Sequence, residues 1–107
     1  MTLTRLALGL TLAALLALPA AAHYPFCTCA LQGGAITCTG GFSDGTSAEG
    51  VTVDVISYEE EVLVPGTFDA TSTIRVPKPQ GEFYILFDAG PGHIVEVDWR
   101  DIDGIEP

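Results

Sequence analysis

The stretch His23-Tyr-Pro-Phe-Cys-Thr-Cys-Ala-Leu-Gln-Gly-Gly-Ala-Ile-Thr-Cys38 holds all three cysteines and one of the two histidines of this 107-residue chain. Imidazoles and thiolates are the ligands that transition metals select, and thiols also pair or exchange as disulfides. If the chain begins at His23 after processing, one residue offers an α-amine and an imidazole together. That chelate suits Cu(II) or Ni(II). His93, in Gly90-Pro-Gly-His93, supplies a second ring, and Asp88 is the expected carboxylate acceptor that orients it. The condition is that His23 folds back onto the end of the domain carrying the Gly90–Gly92 turn.

The sulfurs admit two uses. In one, Cys29 and Cys38 form a disulfide that contributes about 2 kcal/mol. Cys27 is then a free thiol, able to exchange with that bond or to link a second chain into a dimer. In the other, Cys27, Cys29 and Cys38 bind a soft ion such as Cu(I) or Zn(II) as three thiolates. An odd number of cysteines is what keeps both open.

Both uses depend on where the chain goes. Residues 1–22 read as a secretory signal, with Arg5 as the positive n-region, Leu6 to Leu18 as the apolar core, and Ala20-Ala21-Ala22 before the cut. The apolar run falls short of the ~20 residues a spanning helix needs, so cleavage rather than a retained anchor is expected. Export to the periplasm or beyond places the cysteines where disulfides persist. Removing 22 residues leaves 85, one domain with a modest core that gains from a staple.

Without Arg5, three basic residues (Arg75, Lys78, Arg100) face fourteen acidic ones, a formal charge of −11. Such a surface repels nucleic acid and anionic membranes and favours cations or a basic protein face. Solubility in salty water accounts for the same charge, and Glu59-Glu60-Glu61 reads as a solvated turn.

The elements that must position these groups are strands. Cys27–Gln32 and Ala35–Thr39 flank Gly33-Gly34, a two-residue hairpin turn. Its register sets Gln32 opposite Ala35, Leu31 opposite Ile36, Ala30 opposite Thr37 and Cys29 opposite Cys38. Cys29 and Cys38 then form a non-hydrogen-bonded pair, whose close Cα spacing suits a cross-strand disulfide, and Cys27 points to the same face. Gly40–Gly50 reads as a turn-rich loop.

Val51–Tyr58 alternates, with Val51, Val53 and Val55 on one face. Val62–Val64 and Thr71–Val76 are short strands, and Glu82–Asp88 and His93–Trp99 are joined by Ala89-Gly-Pro-Gly92. A four-residue turn there pairs Asp88 with His93, Leu86 with Val95 and Tyr84 with Val97. Arg100–Pro107 reads as a polar, frayed tail. Seven short strands separated by turns predict an all-β protein, an antiparallel sandwich of Ig-like or transthyretin-like kind over residues 23–107.

Two places carry a family resemblance. Gly45-Thr-Ser-Ala-Glu-Gly-Val-Thr-Val-Asp-Val-Ile-Ser-Tyr and Val64-Pro-Gly-Thr-Phe-Asp-Ala-Thr-Ser-Thr-Ile-Arg-Val resemble carboxypeptidase-regulatory-like sandwiches. Phe87-Asp-Ala-Gly-Pro-Gly-His93-Ile-Val-Glu-Val, with Ala22-His23 at the expected cut, resembles small periplasmic nickel- or cobalt-uptake accessory proteins. Those combine an N-terminal histidine with a late glycine-histidine turn. The resemblance implies His23 and His93 as ligands for nickel, cobalt or copper and a membrane transporter component as a partner. Val97-Asp-Trp-Arg100 is similar to periplasmic copper-resistance sandwiches, but the histidine those place after this strand is replaced by Asp101-Ile-Asp-Gly.

Enzyme chemistry lacks its parts. Cys-Thr-Cys on a strand has no helix N-terminus to lower a thiol pKa. No glycine-flanked nucleophile stands near either histidine, and 85 residues offer little face for an oxidative copper enzyme. The expectation is a non-catalytic metal carrier, with a disulfide-stapled interaction module as the alternative.

Overall fold

The computed structural model describes residues 23–106. The expected signal segment 1–22 lies outside them. Seven strands run in order, β1 Pro25–Gln32, β2 Ala35–Phe42, β3 Thr52–Ser57, β4 Val62–Val64, β5 Thr73–Pro77, β6 Phe83–Asp88 and β7 Ile94–Asp98, followed by a 3-10 turn over Trp99–Asp101. They form two antiparallel sheets, β1-β2-β5 and β4-β3-β6-β7. This is the Ig-like sandwich, with β4 on the β3 edge instead of beside β5. No described helix is long and apolar enough to cross a membrane.

Period-2 patterning sends one face of each strand inward. Phe83, Ile85 and Phe87 of β6, Val53 and Val55 of β3, and Ile36 of β2 are buried. Phe68, from the β4–β5 connection, joins them in the same core. A fully buried side chain of this size stabilises the fold by about 1.5–3 kcal/mol.

The first hairpin has the expected register, Gln32↔Ala35 through Cys29↔Cys38. Gly33 and Gly34 both take positive φ, the backbone a two-residue turn of this hand requires. The hairpin is longer than expected, because Gly40 and Gly41 continue β2 instead of starting the loop. Their missing side chains make room for aromatic rings. A Cβ on Gly40 would stand 2.7 Å from the Phe68 ring, and one on Gly41 would stand 2.7 Å from the Phe26 ring.

The β6–β7 register corrects the sequence reading by one residue. Ile85 pairs with Val97, Phe87 with Val95, and Asp88 with Ile94, not with His93. The cause is the turn. Ala89 N–H donates to His93 O at 3.0 Å and His93 N–H to Gly90 O at 2.9 Å, so Ala89 and His93 close the loop around Gly90-Pro91-Gly92. Pro91 followed by Gly92 at φ +81° is the central pair of a type II turn. A loop one residue shorter changes which faces meet. The core favours the observed choice because it brings Ile85 and Phe87, rather than Tyr84 and Leu86, against the apolar residues of β7.

The tail is also a correction. Ile102 and Ile105 are buried. Leu31 N–H donates to Asp103 O at 2.7 Å and Asp103 N–H to Cys29 O at 3.2 Å. The segment forms a parallel bridge at Ala30 and so covers part of the free edge of β1, a surface that otherwise invites pairing with another chain.

Candidate metal centre

One end of the sandwich gathers the start of β1, the end of β2 and the β6–β7 turn. There the His23 and His93 rings stack with centroids 5.1 Å apart and planes 16° from parallel. Phe42 presents its ring nearly edge-on to both, at 5.5 Å from His23 and 6.3 Å from His93. Phe42 is held in turn against the buried Phe87 ring at 5.8 Å. The pair therefore sits on an aromatic base rooted in the core.

Local hydrogen bonds place each ring. Tyr24 N–H donates to Ser43 Oγ at 2.7 Å, and Ser43 N–H donates back to Tyr24 O at 2.9 Å, tying the N-terminal residues to the β2–β3 loop. His93 Nδ1 lies 3.2 Å from Pro91 O. A carbonyl only accepts, so in the neutral ring that bond puts the proton on Nδ1 and leaves the Nε2 lone pair for a ligand role.

The carboxylate near the pair is not the expected one. Asp88 Oδ1 accepts from Gly90 N–H at 2.9 Å, and the shifted register takes Asp88 away from its place opposite His93. Its role is to shape the turn. Asp44 instead brings Oδ2 within 3.9 Å of His23 Nδ1. Hydrogen bonds from the Thr46 side chain and backbone hold the Asp44 carboxyl below its ordinary range, with His23 adding a smaller coulombic effect. The sequence reading ends the first hairpin at Thr39 and so misses Asp44. Carried outward, the same register sets Pro25 opposite Phe42, which points position 23 towards position 44.

The sulfurs form a second cluster inside the sandwich. Cys29 and Cys38 are joined as a disulfide across the expected pair, with Cα atoms 4.1 Å apart. Cys27 is a free, buried thiol. Its Sγ lies 3.9 Å from Cys29 Sγ, and all three sulfurs fall within 4.8 Å of one another. Burial pushes the Cys27 pKa up to about 11, so the thiolate that exchange chemistry needs is scarce at neutral pH.

The fold and the two clusters define a small antiparallel β-sandwich with a histidine pair at one end and three converging sulfurs inside. Comparison with protein-family models, curated proteins and solved structures finds no match to this chain.

Proposed function

We propose that this is an exported transition-metal-binding accessory protein for metal uptake or homeostasis, with His23 and His93 as its primary ligands. The observation that carries the reading is the stacking, at 5.1 Å, of two histidines far apart in the chain. Cleavage after Ala22 would add the α-amine of His23, giving a three-nitrogen donor set suited to nickel, cobalt or copper. Asp44 contributes negative charge beside it. A membrane transporter component is the natural recipient of the ion.

Isothermal titration of the chain starting at His23 with Ni(II), Co(II) and Cu(II) tests this. One site per chain is expected, lost in His23→Ala and in His93→Ala. Equal affinity in parent and variants would refute it.

The acidic surface supports a second reading, a non-catalytic module that docks a basic partner. On the outer face of the four-stranded sheet, Tyr58 and Tyr84 lie 5.5 Å apart. Tyr84 donates to Glu60 at 3.0 Å, and Tyr58 donates to Asp98. A metal-free native mass with no measurable metal affinity would favour this reading.

A further inference from the structure

Cys27 takes no part in the disulfide, yet it occupies a core position beside it. A valine there would bury more apolar surface without a polarisable sulfur. Its Sγ is 3.9 Å from Cys29 Sγ, close to the ~3.8 Å that separates two sulfurs bound to one ion through ~2.3 Å bonds at tetrahedral angles. Cys38 completes the set, with every sulfur within 4.8 Å of the others.

A way in exists on the β1 and β7 side. A cleft of about 340 Å³ is lined by Cys27 and Cys29, with Val95 and Val97 on its wall and Glu96, Asp101 and Asp103 among its lining residues. Three carboxylates beside two sulfurs raise the local concentration of cations. The docked tail supplies two of them.

We infer that Cys27, Cys29 and Cys38 become, when the Cys29–Cys38 bond is reduced, a three-sulfur site for a soft monovalent cation, Cu(I), entered through this cleft. Thiolates select Cu(I) over harder ions. The site is closed while the disulfide stands, because two of its three ligands are then bonded to each other. Reduction requires two electrons and two protons from a dithiol donor. One donor thiolate attacks a sulfur of the Cys29–Cys38 bond and forms a mixed disulfide. The second donor thiol resolves it, leaving Cys29 and Cys38 as thiols and the donor as a disulfide.

The ion then displaces the thiol protons to solvent. A coordinating thiol is deprotonated by the ion itself. This site uses none of the histidines and does not rest on the histidine reading.

The experiment is Cu(I) competition against bathocuproine disulfonate, on the chain before and after reduction with tris(2-carboxyethyl)phosphine. Far-UV circular dichroism and copper X-ray absorption follow the same samples. The reduced chain is expected to keep its β-sheet signal and to bind one Cu(I) with sulfur scattering, while the oxidised chain leaves this site empty. Cys27→Ser keeps the disulfide partners but should weaken Cu(I) binding by more than about a hundredfold, beyond the loss of an outer-shell contact alone. Cys27→Val carries the same test if the serine variant does not fold.

The His23→Ala/His93→Ala double variant should bind Cu(I) at the sulfurs like the parent. Equal affinity in the Cys27 variants, nitrogen-only scattering, or Cu(I) binding confined to an unfolded reduced chain would each overturn the inference. A loss seen only in the histidine variants would overturn it while leaving the histidine site standing.

Discussion

His23 and His93, 70 positions apart in the chain, stack their rings at 5.1 Å because the first strand and the last turn meet at one end of the sandwich. Phe42 is the common floor of the pair, with its ring edge-on to both. Removing that floor should let the imidazoles separate. Phe42→Ala is expected to shift the His23 and His93 ring-proton resonances as mutual ring currents are lost. At the proposed metal site it should lower affinity about tenfold, the scale of losing a supporting contact. Unchanged resonances would mean that Phe42 does not hold the pair.

The docked tail predicts a cost that a frayed one would not have. Ile102 is 2 % exposed, and the residue after it is hydrogen-bonded to Leu31 and Cys29. Ile102→Ala should destabilise the fold by about 2–4 kcal/mol in urea unfolding. The Leu31 amide, which donates to Asp103, should exchange faster with solvent. A loss under about 0.5 kcal/mol, the range of an ordinary surface change, would place the tail in water.

Gly40 is a packing requirement. A methyl group there would stand 2.7 Å and 2.8 Å from two atoms of the Phe68 ring and 3.0 Å from Phe87, and both rings are buried. Neither ring has a flexible end that can swing aside. Gly40→Ala is therefore expected to cost about 1–3 kcal/mol by overpacking, read as a lower thermal midpoint. An unchanged midpoint would show that the rings yield freely.

Acid should loosen the β4–β5 connection and the β7 terminus. Asp69 is held below the ordinary carboxylate range first by the Thr71 side-chain hydrogen bond, then by the Thr71 and Thr73 backbone N–H groups. Asp98 is lowered first by the Arg100 side chain. A depressed native pKa contributes stability that is present above the unfolded value and lost as pH falls through the native one. The midpoint should thus fall on acidification below about pH 4, the ordinary carboxyl range. Asp69→Asn should flatten part of that dependence, and a parallel curve for the variant would remove Asp69 from the effect.

The turn that Asp69 organises also holds Ser72 at φ +55°, a conformation unfavourable for a residue with a side chain. Contacts on both sides of Ser72 offset that cost. Its N–H donates to Asp69 O at 2.9 Å and its carbonyl accepts from Gly40 N–H at 3.0 Å. Its Oγ accepts from Ala48 N–H at 2.9 Å, so this turn ties the β2–β3 loop to β5.

Much of this protein was legible in residue order alone. Alternation of apolar and polar residues marks the strands, because a strand buried on one face must repeat every two residues. Gly33-Gly34 set the register of the first hairpin and hence the Cys29–Cys38 pair, since a two-residue turn leaves no freedom in which residues face each other. Those are local rules, and local sequence is enough to apply them.

Tertiary structure decided the rest. Whether His93 or Ile94 stands opposite Asp88 depended on which face of β6 the core accepted, and the burial of Ile85 and Phe87 settled it against the simplest turn count. The tail looked polar because Asp101, Asp103 and Glu106 surround Ile102 and Ile105, and only the pairing of the Asp103 backbone with the free edge of β1 holds the segment where those two isoleucines join the core. His93 entered the histidine site for the same reason. Phe42 and Asp44 reach it along the first hairpin, whose register sets Phe42 opposite Pro25, but the β6–β7 turn that carries His93 meets them only when the two sheets pack.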